Sequence, residues 1–143
     1  MTHAPETPAG FVESEPFGPF HELVGPLYET DRDGRSVLGL RVAEKHRNRG
    51  ASMHGGMFLT LADTAMTHAA AKIRPPEMRA VTTALSSEII AAAKPGDWVE
   101  AEVEVLKAGR SIIFLNCLVR RDGPDGPLLM RCSATFQLVP RKT

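Results

Sequence analysis

Residues 52–73 read "SMHGGMFLTLADTAMTHAAAKI". From Met57 to Ile73 this stretch has no Gly or Pro, is dense in Ala, Leu and Met, and stops before Pro75-Pro76, which cannot continue a helix. The pattern predicts one long helix. Leu59, Leu61, Ala62, Ala65, Met66, Ala69, Ala70 and Ile73 leave little of its circumference polar, and a helix apolar nearly all round is buried nearly all round. The rest of the chain must therefore wrap it.

The material for wrapping lies on both sides. "LYETDRDGRSVLGLRV" (27–42) reads as two extended pieces about Asp33-Gly34, a pair that supplies the positive φ values of a tight hairpin. From Val81 onward, "VTTALSSEII", "DWVEAEVEVL", "SIIFLNCLVRR" and "LLMRCSATFQLV" are separated by "AAAKPG", "KAGR" and "DGPDGP", which predicts four strands in an antiparallel meander. Glu100, Glu102 and Glu104 alternate with Val99, Ala101, Val103 and Val105, the period of a strand with one face in water and one on a core. The fold class is α+β, an antiparallel sheet wrapped around one long central helix. A second subunit is available to cover what the strands leave open.

With 143 residues the chain is about one domain, large enough for a sizeable core. Residues 1 to about 16, containing "APETPAGFVESEP", are rich in Pro and Glu without an apolar period and are expected to form a flexible arm; 17–143 form the single domain. The 17 basic and 17 acidic side chains cancel, which argues against nucleic acid and anionic membranes as partners and favours a small molecule or a protein. The first ten residues lack the features of a secretion signal, and no window is apolar enough to span a membrane, so the chain is expected to be soluble and cytoplasmic. Cys117 and Cys132 are read as reduced core thiols that would face each other if the strands about "DGPDGP" paired symmetrically. The five histidines form no metal-binding cluster, and no metal or redox cofactor is expected.

Asp63 is the anomaly in the helix. Its helical neighbours are Leu59, Met66 and Ala70, with Thr60 and Thr67 beside them, and a lone buried carboxylate costs several kcal/mol unless it is hydrogen-bonded or shifts its pKa. Two readings follow: a structural Asp bonded to Thr60, Thr67 or a neighbouring strand, or a general base or nucleophile in a cleft. His54-Gly55-Gly56 at the start of the same helix favours the second. The glycines let a carbonyl approach the backbone, and the first N–H groups of a helix lack internal acceptors, as an oxyanion hole requires. Two turns, roughly 12 Å, separate the glycines from the acid, so two antiparallel copies of the helix would bring them together more readily than one.

The pattern of Asn48, "GASMHGG", Asp63, "AVTTALSSEII" and "KPGDWVEAEVEVLKAGRS" resembles the hotdog-fold acyl-CoA thioesterases of the phenylacetate-pathway type, over residues 35 to 138. Met53 stands where that family commonly has Leu. The resemblance implies hydrolysis of acyl- or aryl-CoA thioesters, with coenzyme A as part of the substrate. It implies that Asp63 activates water or attacks the carbonyl, that the Gly55 N–H holds the oxyanion, and that Asn48 positions the water or thioester. His54 would shape the loop and bind the carbonyl region, and Thr82 would place a hydroxyl near the acid. It further implies a homodimer or homotetramer, with His54 and Gly55 of one chain facing Asp63 and Thr82 of the other. Lys45, Arg47, Arg49 and Arg110 are candidates for the coenzyme A phosphates, Arg110 being the one to test. The alternative is a hotdog module that binds acyl-CoA without turnover, as a sensor or assembly protein.

Overall fold

The long helix forms from Gly55 to Ile73, and its two ends follow from the flanking residues. At the start His54 is the N-cap, its Nδ1 accepting the Gly56 N–H at 2.8 Å. Gly56 must be glycine for this: a Cβ there would stand 2.9 Å from that imidazole nitrogen. At the end Arg74 turns extended ahead of the two prolines, its N–H still reaching Ala70 O. Thr60, Thr64 and Thr67 return their hydroxyls to the carbonyls of Gly56, Thr60 and Asp63, so these polar side chains cost the helix little.

The structure, a computed structural model, describes residues 6–142. In chain order the elements are β1 (Val12–Glu13), α1 (Pro19–Val24), β2 (Tyr28–Arg32), β3 (Arg35–Arg41), α2 (Gly55–Ile73), β4 (Met78–Ile89), β5 (Trp98–Ala108), β6 (Ile112–Arg121) and β7 (Leu128–Pro140), with a 3₁₀ turn at Glu44–His46. The seven strands form one antiparallel sheet in the order β1-β2-β3-β5-β6-β7-β4, curled around α2. This is the hotdog architecture. Leu38, Leu40, Val99, Ala101, Ile113, Leu115, Leu129 and Phe136 meet the helix residues Phe58, Leu61, Ala65 and Met66 in one apolar core. Among the described residues no helix is long and apolar enough to cross a membrane.

The expected hairpin forms at Asp33 (φ 52°) and Gly34 (φ 79°). Cys117 and Cys132 sit directly opposite in the β6–β7 ladder as free thiols. Burial pushes the Cys132 thiol up to about 11, the Asp63 carboxylate adding to the effect, and raises Cys117 as well.

Three expectations are corrected. β5, β6 and β7 form a meander, but β4 does not precede β5 in it: β4 lies at the far edge beyond β7, and the Ile90–Asp97 link crosses back beside the start of α2, where Ala93 O accepts the Met53 N–H at 2.7 Å. Alternation identifies a strand's faces, not its neighbour. Glu100 is also buried, at 4% exposure, because the outer face at this end of β5 is covered. Its carboxylate takes Arg32 Nη2 at 3.0 Å and Trp98 Nε1 at 2.9 Å, and the indole fits over Gly39, where a Cβ would clash at 2.3 Å. Finally, the domain does not begin at Phe17. The Phe11 ring packs edge-on to Trp98, Val12–Glu13 pair with β2, and the Ser14 N–H donates to Leu27 O at 2.8 Å. These tertiary contacts fix a segment with no local period; the part of the expected arm in residues 1–5 lies outside the described residues.

Candidate active site

The start of α2 is prepared by the loop before it. Asn48 Oδ1 accepts the N–H groups of Gly50 (2.8 Å) and Ser52 (3.2 Å), while its Nδ2 donates to Ser52 Oγ at 3.1 Å. That is the bonding of a short polar side chain closing its own turn. The His54 N–H then donates to His46 O at 2.8 Å, seating the helix start on the 3₁₀ turn.

Among the first helical N–H groups, that of Gly56 goes to His54 Nδ1 and that of Met57 to His54 O. Gly55 is left as the donor without an acceptor among the described residues, at the positive end of a 19-residue helix. Because His54 Nδ1 accepts, the ring proton sits on Nε2, and this exposed side chain has a second donor beside the first. The Ile89 side chain at the end of β4 lies against Gly55, 3.4 Å from where a Cβ would stand.

Asp63 is half-buried on the side of α2 that faces β4. Its Oδ1 accepts the Thr82 hydroxyl at 2.7 Å, and Oδ2 has no partner among the described residues. Neither Thr60 nor Thr67 reaches the carboxylate, since both hydroxyls are engaged by backbone carbonyls. One oxygen is thus oriented by a strand and the other is open to accept a proton or attack a carbon. β4 is the edge of the sheet, so the strand that holds Thr82 has one unpaired side in this chain.

The sequence-predicted residues therefore fall into two groups. Asn48, His54 and Gly55 gather at the helix start; Asp63 and Thr82 gather eight residues further on, about 12 Å along the axis. Among the basic candidates, Lys45 Nζ is engaged by Leu23 O and Arg47 by Glu44, whereas Arg49 and Arg110 are exposed with no partner among the described residues. Sequence reasoning missed His46, which is 4% exposed. Its Nδ1 accepts the Ala43 N–H at 2.9 Å and its Nε2 donates to Val24 O at 2.6 Å, tying α1 to the loop before α2. Burial holds its pKa below the usual histidine range, against the Val24 carbonyl. The His-Arg-Asn run offers no local signal for that contact, which forms only when α1 folds over.

The sequence profile of the thioesterase superfamily matches residues 50–127, a span that includes the helix start, Asp63 and Thr82. The chain belongs to the thioesterase superfamily. Its activity is therefore hydrolysis of a thioester. The Pseudomonas aeruginosa protein PA0474, provisionally named an esterase, is 36% identical over 75% of this thioesterase and 81% of its own length. The solved structure of the conserved protein PA5202, also from Pseudomonas aeruginosa, superposes with a TM-score of 0.76 at 31% identity, over 86% of this chain and 95% of that one. A mutant of the phenylacetic acid degradation protein PaaI from Thermus thermophilus shares the fold, with a TM-score of 0.72 at 24% identity over 84% of this chain and 98% of its own.

Proposed function

We propose that this thioesterase hydrolyses acyl- or aryl-CoA thioesters to the free acid and coenzyme A in a site completed by two copies of the chain. One observation carries the proposal: the free Gly55 N–H and the Thr82-held Asp63 carboxylate lie about 12 Å apart on one helix, too far to act together on one carbonyl. Two α2 helices packed antiparallel in a homodimer bring the Gly55 of each to the Asp63 of the other. The unpaired edge of β4 and its half-exposed inner residues Thr82 and Leu85 supply a surface for that pairing, and a homotetramer is two such dimers.

In that arrangement the thioester oxygen rests on the Gly55 N–H, with the His54 Nε2–H beside it. Asp63 Oδ2 then takes a proton from a water that adds to the carbonyl carbon, or adds to that carbon itself to give an anhydride that water cleaves. Both routes place negative charge on the carbonyl oxygen, where the Gly55 N–H and the helix dipole stabilise it. Collapse expels the thiolate of coenzyme A. Thr82 keeps the carboxylate aimed. Asn48 acts from the loop, its Nδ2 exchanging the Ser52 hydroxyl for the water or thioester. No metal or redox group takes part, and coenzyme A enters only with the substrate.

The test is thiol release from short, medium, long and aromatic acyl-CoAs by the wild type and Asp63→Asn. Loss of the base or nucleophile is expected to lower turnover by about 10²- to 10⁴-fold with the fold intact. Near-normal turnover in the variant would overturn the assignment of Asp63. Binding of acyl-CoA without release by the wild type would leave a ligand-binding module instead.

A further inference from the structure

α1 presents its apolar side chains to solvent, Phe20 at 61% and Leu23 at 70% exposure, with Phe17 just before it at 52%. It is nonetheless fixed at both ends. Lys45 Nζ donates to Leu23 O at 3.0 Å and His46 Nε2 to Val24 O at 2.6 Å; at the other end the Phe17 ring stacks on His68 at 5.4 Å and the Phe17 N–H donates to His21 Nδ1 at 3.1 Å. Large apolar side chains held in the open mark a binding surface.

Between α1 and the first half of α2 lies a cleft of about 550 Å³, with Phe20, Leu23 and Val24 on one wall and Gly56, Met57 and Thr60 on the other. That volume suits a small molecule rather than a protein segment. The cleft reaches His54 and Gly56, adjacent to the free Gly55 N–H. Gly56 and Thr60 follow one another along a single stripe of α2, so the cleft runs from the helix start along its open face.

We propose that this cleft receives the apolar acyl moiety of the thioester, and that Phe20, Leu23 and Thr60 determine which acyl groups are accepted. The inference rests on the acyl-CoA reading above. The cleft's lining is mostly aliphatic and aromatic; of its polar members Lys45 is held by the Leu23 and Gly25 carbonyls and His46 by the Val24 carbonyl, which leaves a largely apolar surface that selects for medium-length alkyl or aryl acyl groups. Each methylene buried there is worth roughly a fourfold gain in kcat/KM.

The experiment measures kcat/KM for acetyl-, butanoyl-, octanoyl- and phenylacetyl-CoA with the wild type, Leu23→Ser and Phe20→Ser. Both side chains are mostly exposed, so folding is not at risk. The octanoyl-to-butanoyl ratio is expected to fall at least tenfold in each variant. Leu23→Trp, which narrows the cleft, is expected to shift the preference to shorter chains. An equal change for every chain length would overturn the inference, as would loss of the dimer on sedimentation of Leu23→Ser, which would make α1 a subunit contact. Amide shifts on titrating octanoate into the wild type separate the two claims. Shifts at Leu23 and Thr60 without hydrolysis of any ester would uphold the cleft and refute the acyl-CoA activity; absence of those shifts would refute the cleft.

Discussion

On the sheet side of α2, Leu61, Ala62, Ala65, Met66 and Ala70 are at most 1% exposed, whereas Gly56, Thr60, Asp63 and Thr67 on the other side remain partly or fully open. Both sets are spaced by one helical period and share a backbone. What differs is the cover: the curled sheet closes over the first set, whereas the second lies beside Thr82 of the edge strand β4 and the short helix α1 and keeps an open side. The sheet side is held by packing, where a missing methylene leaves a void. The open side holds few buried contacts but concentrates oriented donors and a carboxylate, so changes there alter chemistry with little effect on packing. Stability and turnover are expected to separate along this helix.

Asp63→Asn, already expected to cost about 10²- to 10⁴-fold in turnover, should barely move thermal unfolding, because the amide fills the same space. Leu61→Ala is the mirror experiment. Chemical denaturation is expected to show a loss of about 2–5 kcal/mol, with turnover per folded molecule close to wild type. Equal losses of both properties in either variant would break the distinction. Thr82→Val refines it at smaller scale. Removing the hydroxyl that aims Asp63 is expected to lower kcat on the order of tenfold, while valine, a good strand former, keeps β4 stable. A kcat unchanged in Thr82→Val would show that the 2.7 Å bond is only structural.

Much of this was legible in the sequence, for physical reasons that also explain the gaps. The uninterrupted apolar run and Pro75-Pro76 define α2, period-two alternation defines β5, and the turn residues of "KAGR" and "DGPDGP" delimit β6, since these signals are local. The edge position of β4 was not legible, because strand pairing is decided by a link whose sequence, "AAAKPG", fits more than one crossing. The packing of residues 11–14 was hidden for a similar reason: Phe11 is placed by Trp98 and Ser14 by Leu27, both distant in sequence. α1 is six residues long with its apolar residues outward, the reverse of the pattern that marks a surface helix.

In the site, Asp63 was conspicuous as a carboxylate in an apolar run, and His54-Gly55-Gly56 as a helix start with glycines at the first turn. That the Gly55 N–H stays without an acceptor among the described residues while its neighbour does not depends on His54 Nδ1 taking the Gly56 N–H, which the sequence does not state. Thr82 came from the family resemblance rather than from its own pattern, a Thr in a strand being ordinary. Its bond to Asp63 gives that placement a physical reason.

The sharing of one site by two chains is tested most directly by subunit complementation. Asp63→Asn and Gly55→Val, the latter shielding the helix-start N–H with a side chain whose Cβ meets the flexible Ile89 tip at ordinary contact distance, are each expected to be inactive as homodimers. A hybrid purified through two different tags has one composite site with both groups intact and one with neither. It is expected to recover about half the wild-type thiol release per dimer, one site of two being whole. A purified hybrid as inactive as its parents would place Gly55 and Asp63 in the same chain's site and contradict the shared site.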